Sequence, residues 1–246
     1  MRYLILSDLH GNLEALDVVL KFAEGEKIDH YLCLGDLVGY GASPNKVIDK
    51  VQALKPLSII RGNHDKAVCE SESLESFNPI AAMAISWTQE NISEKNLDYL
   101  CKIKKGPLKI EDNITICHGA PFDEDYYIFG EFDAAEAFLH IETHITFFGH
   151  THFPFVYKNK DHLIEGTYVS GNFSKLKLKK KTRYLINPGS LGQPRDRNIR
   201  SSCAVYDSEA GEIYFHRLEY DIETTQKKIL DAKLPPALAK RLFAGI

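Results

Sequence analysis

Aspartate, histidine and asparagine recur along this chain in four short polar clusters: Asp8-Leu9-His10, Gly35-Asp36, Gly62-Asn63-His64-Asp65 and Gly149-His150-Thr151-His152. A fifth, His118-Gly119, lies between the last two. Together they supply enough carboxylate, amide and imidazole donors to hold two metal ions close together, and such a pair breaks phosphate esters. Asp8 and His10 are two apart, as are His150 and His152, so on extended backbone each pair points to one side. Asp36 follows a glycine that permits close backbone approach, and its two oxygens can bridge two ions. Asn63 adds a neutral oxygen and His118 another nitrogen. Oxygen and imidazole donors without thiolate suit Mn, Fe, Co or Zn better than Ca or Mg. Cys33 and Cys117 lie near these positions, but Cys117 adjoins His118 and on a strand faces the other way. Each cluster alone has a bland explanation, since a Gly-Asp or Gly-Asn pair is an ordinary turn. The weight rests on all five falling in order, each at the end of an apolar run.

Those apolar runs define the elements that must position the clusters. Tyr3–Leu6, Tyr31–Leu34 and Leu57–Ile60 read as buried strands, and helices are predicted over about Leu13–Ala23 and Pro44–Leu54. Asn12 and Ser43 are suited to cap those helices, with Pro44 at a first helical position. The first third is therefore strand-loop-helix repeated, with a polar cluster after each strand, where parallel α/β sheets build their sites. A helical pattern follows from about Asp65 to Cys101, including Pro79–Glu90 and a segment from Ser93. Ile114–Cys117 and Ile145–Phe148 are further apolar strands, again ending in His118 and in Gly149-His150. The last hundred residues read as strands over Phe153–Tyr157, Leu163–Val169, Lys175–Ile186, Cys203–Asp207 and Glu212–Leu218. A polar helix near Ile222–Ala232 and a short tail from Pro235 complete the pattern. No linker marks a boundary, so residues 1–246 are expected to form one domain.

Composition narrows the class. The 246 residues are 44% hydrophobic and 26% charged, with a net charge of −4, which makes no general case for nucleic-acid or membrane binding. The five cysteines are odd in number and show no CxxC spacing, so they are expected to be buried thiols in a reducing compartment. With no apolar run long enough for a signal peptide or a bilayer span, a cytoplasmic location is the default.

Asp8-x-His10, Gly35-Asp36, Gly62-Asn63-His64-Asp65, His118 and Gly149-His150-Thr151-His152 resemble the motifs of the calcineurin-like metallophosphoesterases. The resemblance implies a four-layer αββα sandwich of the α/β class, with two mixed β-sheets flanked by helices and a dinuclear metal centre. Carried over by motif position, Asp8, His10 and His152 would hold one metal, Asn63, His118 and His150 the other, and Asp36 would bridge. Mn or Fe would be favoured. A metal-bridging hydroxide would attack phosphorus, while His64 protonates the leaving oxygen and Asp65 orients His64.

The sequence also departs from well-known branches of that family. Gly35-Asp36-Leu37-Val38-Gly39-Tyr40-Gly41 lacks the second acidic residue and the phosphate-clamping arginine of the phosphoprotein phosphatases, with Gly39 and Tyr40 in their places. The segment resembles instead a compact prokaryotic branch of phosphoesterases, some diadenosine tetraphosphatase-like. Asn187-Pro188-Gly189-Ser190-Leu191-Gly192-Gln193-Pro194-Arg195-Asp196 resembles that branch too, and Arg195 reads either as a phosphate contact or as a solvated turn residue. Tyr40, Arg195 and Asn12 are the candidate substrate contacts, although helix capping suffices for Asn12. Arg61 could face the site or turn away. Tyr126, Tyr127 and Phe129 could stack on a base or pack as a surface loop. Lys175, Lys177, Lys179 and Lys181 would share one face of a strand, read first as edge protection and second as a polyphosphate or nucleic-acid contact. The favoured substrate is a small phosphorylated molecule, a dinucleoside polyphosphate or other nucleotide. The alternatives are a phosphodiesterase acting on small diesters and, last, a non-catalytic scaffold.

Overall fold

The computed structural model describes residues 1–70, 74–111 and 113–246. Strand β1 (Arg2–Leu6) leads into α1 (Leu13–Gly25), β2 (His30–Cys33) into α2 (Pro44–Ala53), and β3 (Leu57–Ile59) into α3 (Asn63–Cys69). Helices α4 (Pro79–Asn91) and α5 (Glu94–Lys102) follow, then β4 (Leu108–Glu111), β5 (Ile114–Ile116), α6 (Glu131–Leu139) and β6 (Ile145–Phe147). A run of strands comes next: β7 (Pro154–Lys160), β8 (Leu163–Tyr168), β9 (Phe173–Lys177), β10 (Arg183–Pro188), β11 (Ser201–Asp207) and β12 (Glu212–Leu218). Helices α7 (Ile222–Asp231) and α8 (Pro236–Ala244) come last.

Two six-stranded sheets result, ordered β3-β2-β1-β11-β12-β9 and β4-β5-β6-β10-β7-β8. Both are mixed: β1, β2 and β3 run parallel, as do β5, β6 and β10, while the remaining pairs are antiparallel. The two-residue alternation of a strand explains the layering. Tyr3 and Ile5 of β1 join Ala204, Tyr206, Tyr184 and Ile186 in an apolar layer between the sheets. Leu4 and Leu6 face the other way, into a cluster with Leu16 and Val19 of α1 and Val47 and Val51 of α2. On the far sheet Leu185 and Tyr157 pack against Ala134, Ala137 and Phe138 of α6. The order of layers is helix, sheet, sheet, helix, as the motif resemblance implies.

Four features differ from the sequence reading. The stretch Lys175–Ile186 is two strands in different sheets, β9 and β10, because the chain turns at 178–182. The four lysines therefore do not share a face. Lys175 and Lys177 lie on the edge strand β9 and both pair with Glu212, which agrees with edge protection. Residues from Pro235 form α8 rather than a tail, with Pro236 at the helix start and Gly245 in the left-handed conformation at its end. Helix α6 was not anticipated; the Asp133 carboxylate accepts hydrogen bonds from Phe129 N and Gly130 N and so starts it.

The cysteines provide the fourth correction. Cys33, Cys117 and Cys203 are buried thiols, but Cys69 and Cys101 form a disulfide joining α3 to α5, with Cα atoms 5.4 Å apart. A separation of 32 residues carries no local signal; only the packing of the two helices brings the pair together. The expectation of a reducing compartment rested on five unpaired thiols, and this pair does not fit it. Closing a loop of that size restricts the unfolded chain by about 3–4 kcal/mol in the chain-entropy account. Cys101→Ser is therefore expected to lower unfolding free energy by up to about that amount in denaturant titration. Reductant should shift the wild-type curve in the same direction and leave the variant unmoved. No helix among the described residues is long and apolar enough to cross a membrane.

Candidate metal centre

The C-terminal ends of the parallel strands of both sheets converge at one place. Asp8 and His10 follow β1, Asp36 follows β2, Asn63 and His64 open α3 after β3, His118 follows β5, and His150 and His152 follow β6. Asp8, His10, Asp36, His118, His150 and His152 are all buried. Two groups form: Asp8, His10, Asp36 and His152 in one, Asp36, His118 and His150 in the other, each with its donor atoms within 4.8 Å of one another. Asp36 belongs to both.

The backbone that achieves this is not extended. Asp8, His10, Asp36, His150 and His152 all have positive φ, between 48° and 66°. The idea that Asp8 and His10 face one side because they lie on a strand is thereby corrected: the chain curls at each residue. That conformation is unfavourable for side chains with a Cβ, and such strain persists only where surroundings impose it. Here the loops lace together, His10 N donating to Asp36 O at 2.8 Å and Gly11 N to Leu37 O at 2.9 Å. Gly35, at φ +98°, lies directly against Gly62 N, so that a Cβ there would collide with the loop carrying Asn63. Beneath them runs the Asn187–Asp196 segment. Leu191 N donates to Ser7 O and Gly192 N to Asp8 O, both at 2.9 Å, and the Ser190 hydroxyl donates to Asp8 O at 2.9 Å.

Hydrogen bonding fixes which imidazole nitrogen is available. His10 Nδ1 donates to Val38 O at 3.0 Å and His152 Nδ1 to Gln193 O at 2.6 Å, since a carbonyl can only accept. Burial holds both imidazoles well below their ordinary pKa, so both are neutral. Their Nε2 lone pairs nevertheless face each other 3.1 Å apart, with Asp8 Oδ1 3.4 Å from His152 Nε2 and Asp36 Oδ2 3.6 Å from His10 Nε2. Acceptors converging on acceptors repel unless a cation lies among them, and the donor set fits one. In the second group His118 Nδ1 donates to Leu34 O at 2.8 Å, which turns Nε2 toward Asn63 Oδ1 at 3.1 Å and Asp36 Oδ2 at 3.5 Å. Burial would lower the His118 pKa, but the Asp36 carboxylate reverses this and raises it to about 10, so this place too attracts positive charge. His150 Nε2 donates to Asp125 O at 3.1 Å, leaving Nδ1 as its donor atom. Backbone carbonyls that orient metal-binding imidazoles in this way are a common outer support.

The remaining site residues fall into place unevenly. His64 is buried beside His10, with ring centroids 4.8 Å apart, and its Nδ1 has no hydrogen-bond partner among the described residues. Gly39, at φ +88°, explains the missing acidic residue, because a Cβ there would run into His64 Nδ1. Asp65 does not orient His64. Its Oδ1 accepts from Leu37 N and Val38 N at 2.8 and 3.2 Å and its Oδ2 from Gly62 N at 3.1 Å, so the carboxylate is consumed in tying the Asp36 loop to α3. Asn12 is likewise withdrawn from substrate: Oδ1 caps α1 by accepting from Ala15 N, and Nδ2 donates to Gly192 O. Arg61 is turned away, held by Glu124 and Glu70. Arg195 does lie at the site, its Nη2 3.3 Å from the Tyr40 hydroxyl.

A cleft of about 300 Å³ opens beside the cluster, lined by Tyr40, Asn63, His64, Asp125, Tyr127 and His150 among others. Tyr127 stacks on His150 with centroids 3.7 Å apart, a contact that no local pattern announces, and Phe129 stacks on Tyr127 in turn. Tyr126 instead donates to Asp133 at the start of α6.

Comparison with known proteins agrees with this arrangement. Residues 1–211 match the model of the calcineurin-like phosphoesterase superfamily domain. The chain is similar to a metallophosphoesterase from Sphaerobacter thermophilus, with 36% identity, a TM-score of 0.87 and coverage of 100% of this chain and 99% of that one. It is 38% identical over 250 residues to the uncharacterized protein MJ0912 of Methanocaldococcus jannaschii, covering 98% of this chain and 97% of the relative. A hypothetical protein from Pyrococcus horikoshii, 21% identical, shares the fold with a TM-score of 0.81, over 100% of this chain and 98% of that one. The chain belongs to the calcineurin-like phosphoesterase superfamily, a family of metal-dependent hydrolases of phosphate esters.

Proposed function

We propose that the chain hydrolyses small phosphorylated molecules of the nucleotide class, with Asp8, His10 and His152 holding one metal ion, Asn63, His118 and His150 a second, and Asp36 bridging. The observation that carries this reading is the sharing of Asp36 by two groups of buried donors, in the first of which the Nε2 lone pairs of His10 and His152 face each other. The donor chemistry favours Mn or Fe, with Zn and Co as further candidates. When bound, the two ions would lower the pKa of a water and offset charge on the phosphoryl oxygens.

The protein's own groups supply the rest. His64 stands on the cleft side of the cluster, where it can reach the leaving oxygen of a phosphate seated against Asn63 and His150. Burial depresses its pKa to about 4, opposed by the Asp36 carboxylate, so the free imidazole is neutral at pH 7. It becomes a proton donor as the anionic substrate enters beside it and favours its charged form. Tyr40 packs on both His10 and His64, at 4.5 and 4.6 Å between centroids, and keeps the imidazole in place. The stacked pair Tyr127 and Phe129, the latter 63% exposed, offers a flat apolar face at the cleft mouth on which a nucleobase can lie.

Chromatographic analysis of products from Mn²⁺-loaded protein with diadenosine tetraphosphate, and with a bis-aryl phosphate diester in parallel, tests this reading. ADP as the sole product is the expected result and defines symmetrical cleavage. Brisk diester cleavage without nucleotide turnover would move the assignment to a phosphodiesterase. Turnover of neither by metal-loaded protein would overturn it.

A further inference from the structure

We propose that Arg241 of the C-terminal helix α8 and Arg195 together form a subsite for a second phosphoryl group of the substrate, set beside the metal centre across the ring of Tyr40. The subsite rests on the phosphoester reading above and specifies its substrate as one carrying at least two linked phosphates. Arg241 lies beyond residues 1–211, the part that matches the family model.

The geometry begins with Tyr40. Its ring packs on His10 and His64, and the guanidinium carbons of Arg195 and Arg241 each lie 5.9 Å from its centroid. Helix α8 is anchored where it can deliver this residue. Leu238, Ala239 and Leu242 are buried in one cluster with Tyr40 and with Ala81 and Ala84 of α4. The end of α8 is stitched to the loop that carries Arg195, through Arg197 N donating to Gly245 O at 2.8 Å. The C-terminal hairpin and the Asn187–Asp196 loop therefore form one wall.

The electrostatics of that wall are unfavourable without an anion. Arg195 contacts the Tyr40 hydroxyl at 3.3 Å and Gln193 Oε1 at 3.5 Å, while its buried Nε has no partner among the described residues. Among the described residues neither Arg195 nor Arg241 forms an ion pair with a carboxylate. The neighbouring Asp196 is taken by Arg217. Desolvation and the charge of Arg195 both lower the Arg241 pKa. Two cations that repel each other in a partly buried place, with donors left unused, cost stability. Phosphate oxygens would satisfy both, since guanidinium binds phosphate through paired, charge-assisted hydrogen bonds. The rest of the wall is compatible: Arg195 also lies close enough to Tyr127 to oppose the rise in that phenol's pKa that burial causes. A phosphoryl group at the metals and a second one here would be bound on either side of Tyr40.

The test is calorimetric titration of orthophosphate and of inorganic tripolyphosphate into the full-length Mn²⁺-loaded protein, with Mn²⁺ matched to ligand throughout. Wild type is expected to bind tripolyphosphate more tightly than orthophosphate, and Arg241→Met to lose roughly tenfold or more of that preference. Arg241→Lys should recover part of it. Thermal unfolding of the ligand-free protein supplies a second readout, because Met keeps the aliphatic stem and removes the repulsion, so Tm should hold or rise. An unchanged preference in Arg241→Met, or no preference in wild type, would overturn the subsite. A marked fall in Tm would show Arg241 to be a structural cation instead, with the same consequence. Because binding is measured directly, absence of hydrolysis in the product analysis would strike the proposed function without deciding this one.

Discussion

Asp36→Asn is expected to abolish phosphoester hydrolysis through loss of metal, with turnover falling more than about 100-fold, beyond the range seen when outer supports of a metal site are removed. The argument is local. Among the described residues Asp36 is the carboxylate that belongs to both donor groups, and its Oδ2 lies 3.6 Å from His10 Nε2 and 3.5 Å from His118 Nε2. An amide keeps one oxygen, loses the charge, and turns an NH₂ toward one of those positions. Asp36 Oδ1 accepts from His64 N at 2.9 Å, a bond that the amide oxygen can retain, so the loop should survive. Elemental analysis of the purified variant beside wild type checks the cause, and circular dichroism checks the fold. A variant with full metal content and full turnover would remove Asp36 from the bridging position.

His64→Ala is expected to slow hydrolysis of alkyl esters and phosphoanhydrides by about 10²–10⁴-fold, the usual worth of a placed general acid, and to slow activated aryl esters much less. An aryloxide with an electron-withdrawing ring leaves without a proton, so it does not need the imidazole. The structure adds a reason to use Ala: the ring is buried against Tyr40, Phe77 and His10, and a larger replacement would disturb them. Steady-state kinetics on an alkyl and an aryl phosphate with the same metal-loaded variant make the comparison. Equal losses on both would leave His64 as a packing residue that merely shapes the cleft.

Both predictions start from residues visible in the sequence, yet their physical basis is only partly visible there. The order of clusters at the ends of apolar runs pointed to Asp8, His10, Asp36, Asn63, His118, His150 and His152. Strand propensity and the position of sites at strand ends are local properties, so that much was legible. The reason first given for the Asp8 and His10 pairing was wrong, since both residues take positive φ rather than extended backbone. Backbone dihedrals of that kind are imposed by neighbouring loops and leave no mark in residue spacing. Asp65 and Asn12 were misread for a related cause: each has a side chain suited to chemistry, but three backbone amides claim Asp65, and a helix cap with a distant carbonyl claims Asn12. Short apolar or Pro-led stretches misled in the same way. The split of Lys175–Ile186 between two sheets and the folding of α8 depend on partners far along the chain.

By itself, the sequence determined the alternation of buried strands and helices, the donor types that can bind transition metals, and the absence of the clamping arginine at Tyr40. These are carried by residue type, short spacing and order, which local physical chemistry reads directly. Only the tertiary structure decided that Asp36 is shared, that His10 and His152 point lone pairs at each other, that Cys69 meets Cys101, and that Arg241 arrives beside Arg195. Each of those is a contact between residues more than about 25 positions apart in the chain. Such contacts are set by how the two sheets and the C-terminal hairpin pack, and by the loops that this packing forces to curl.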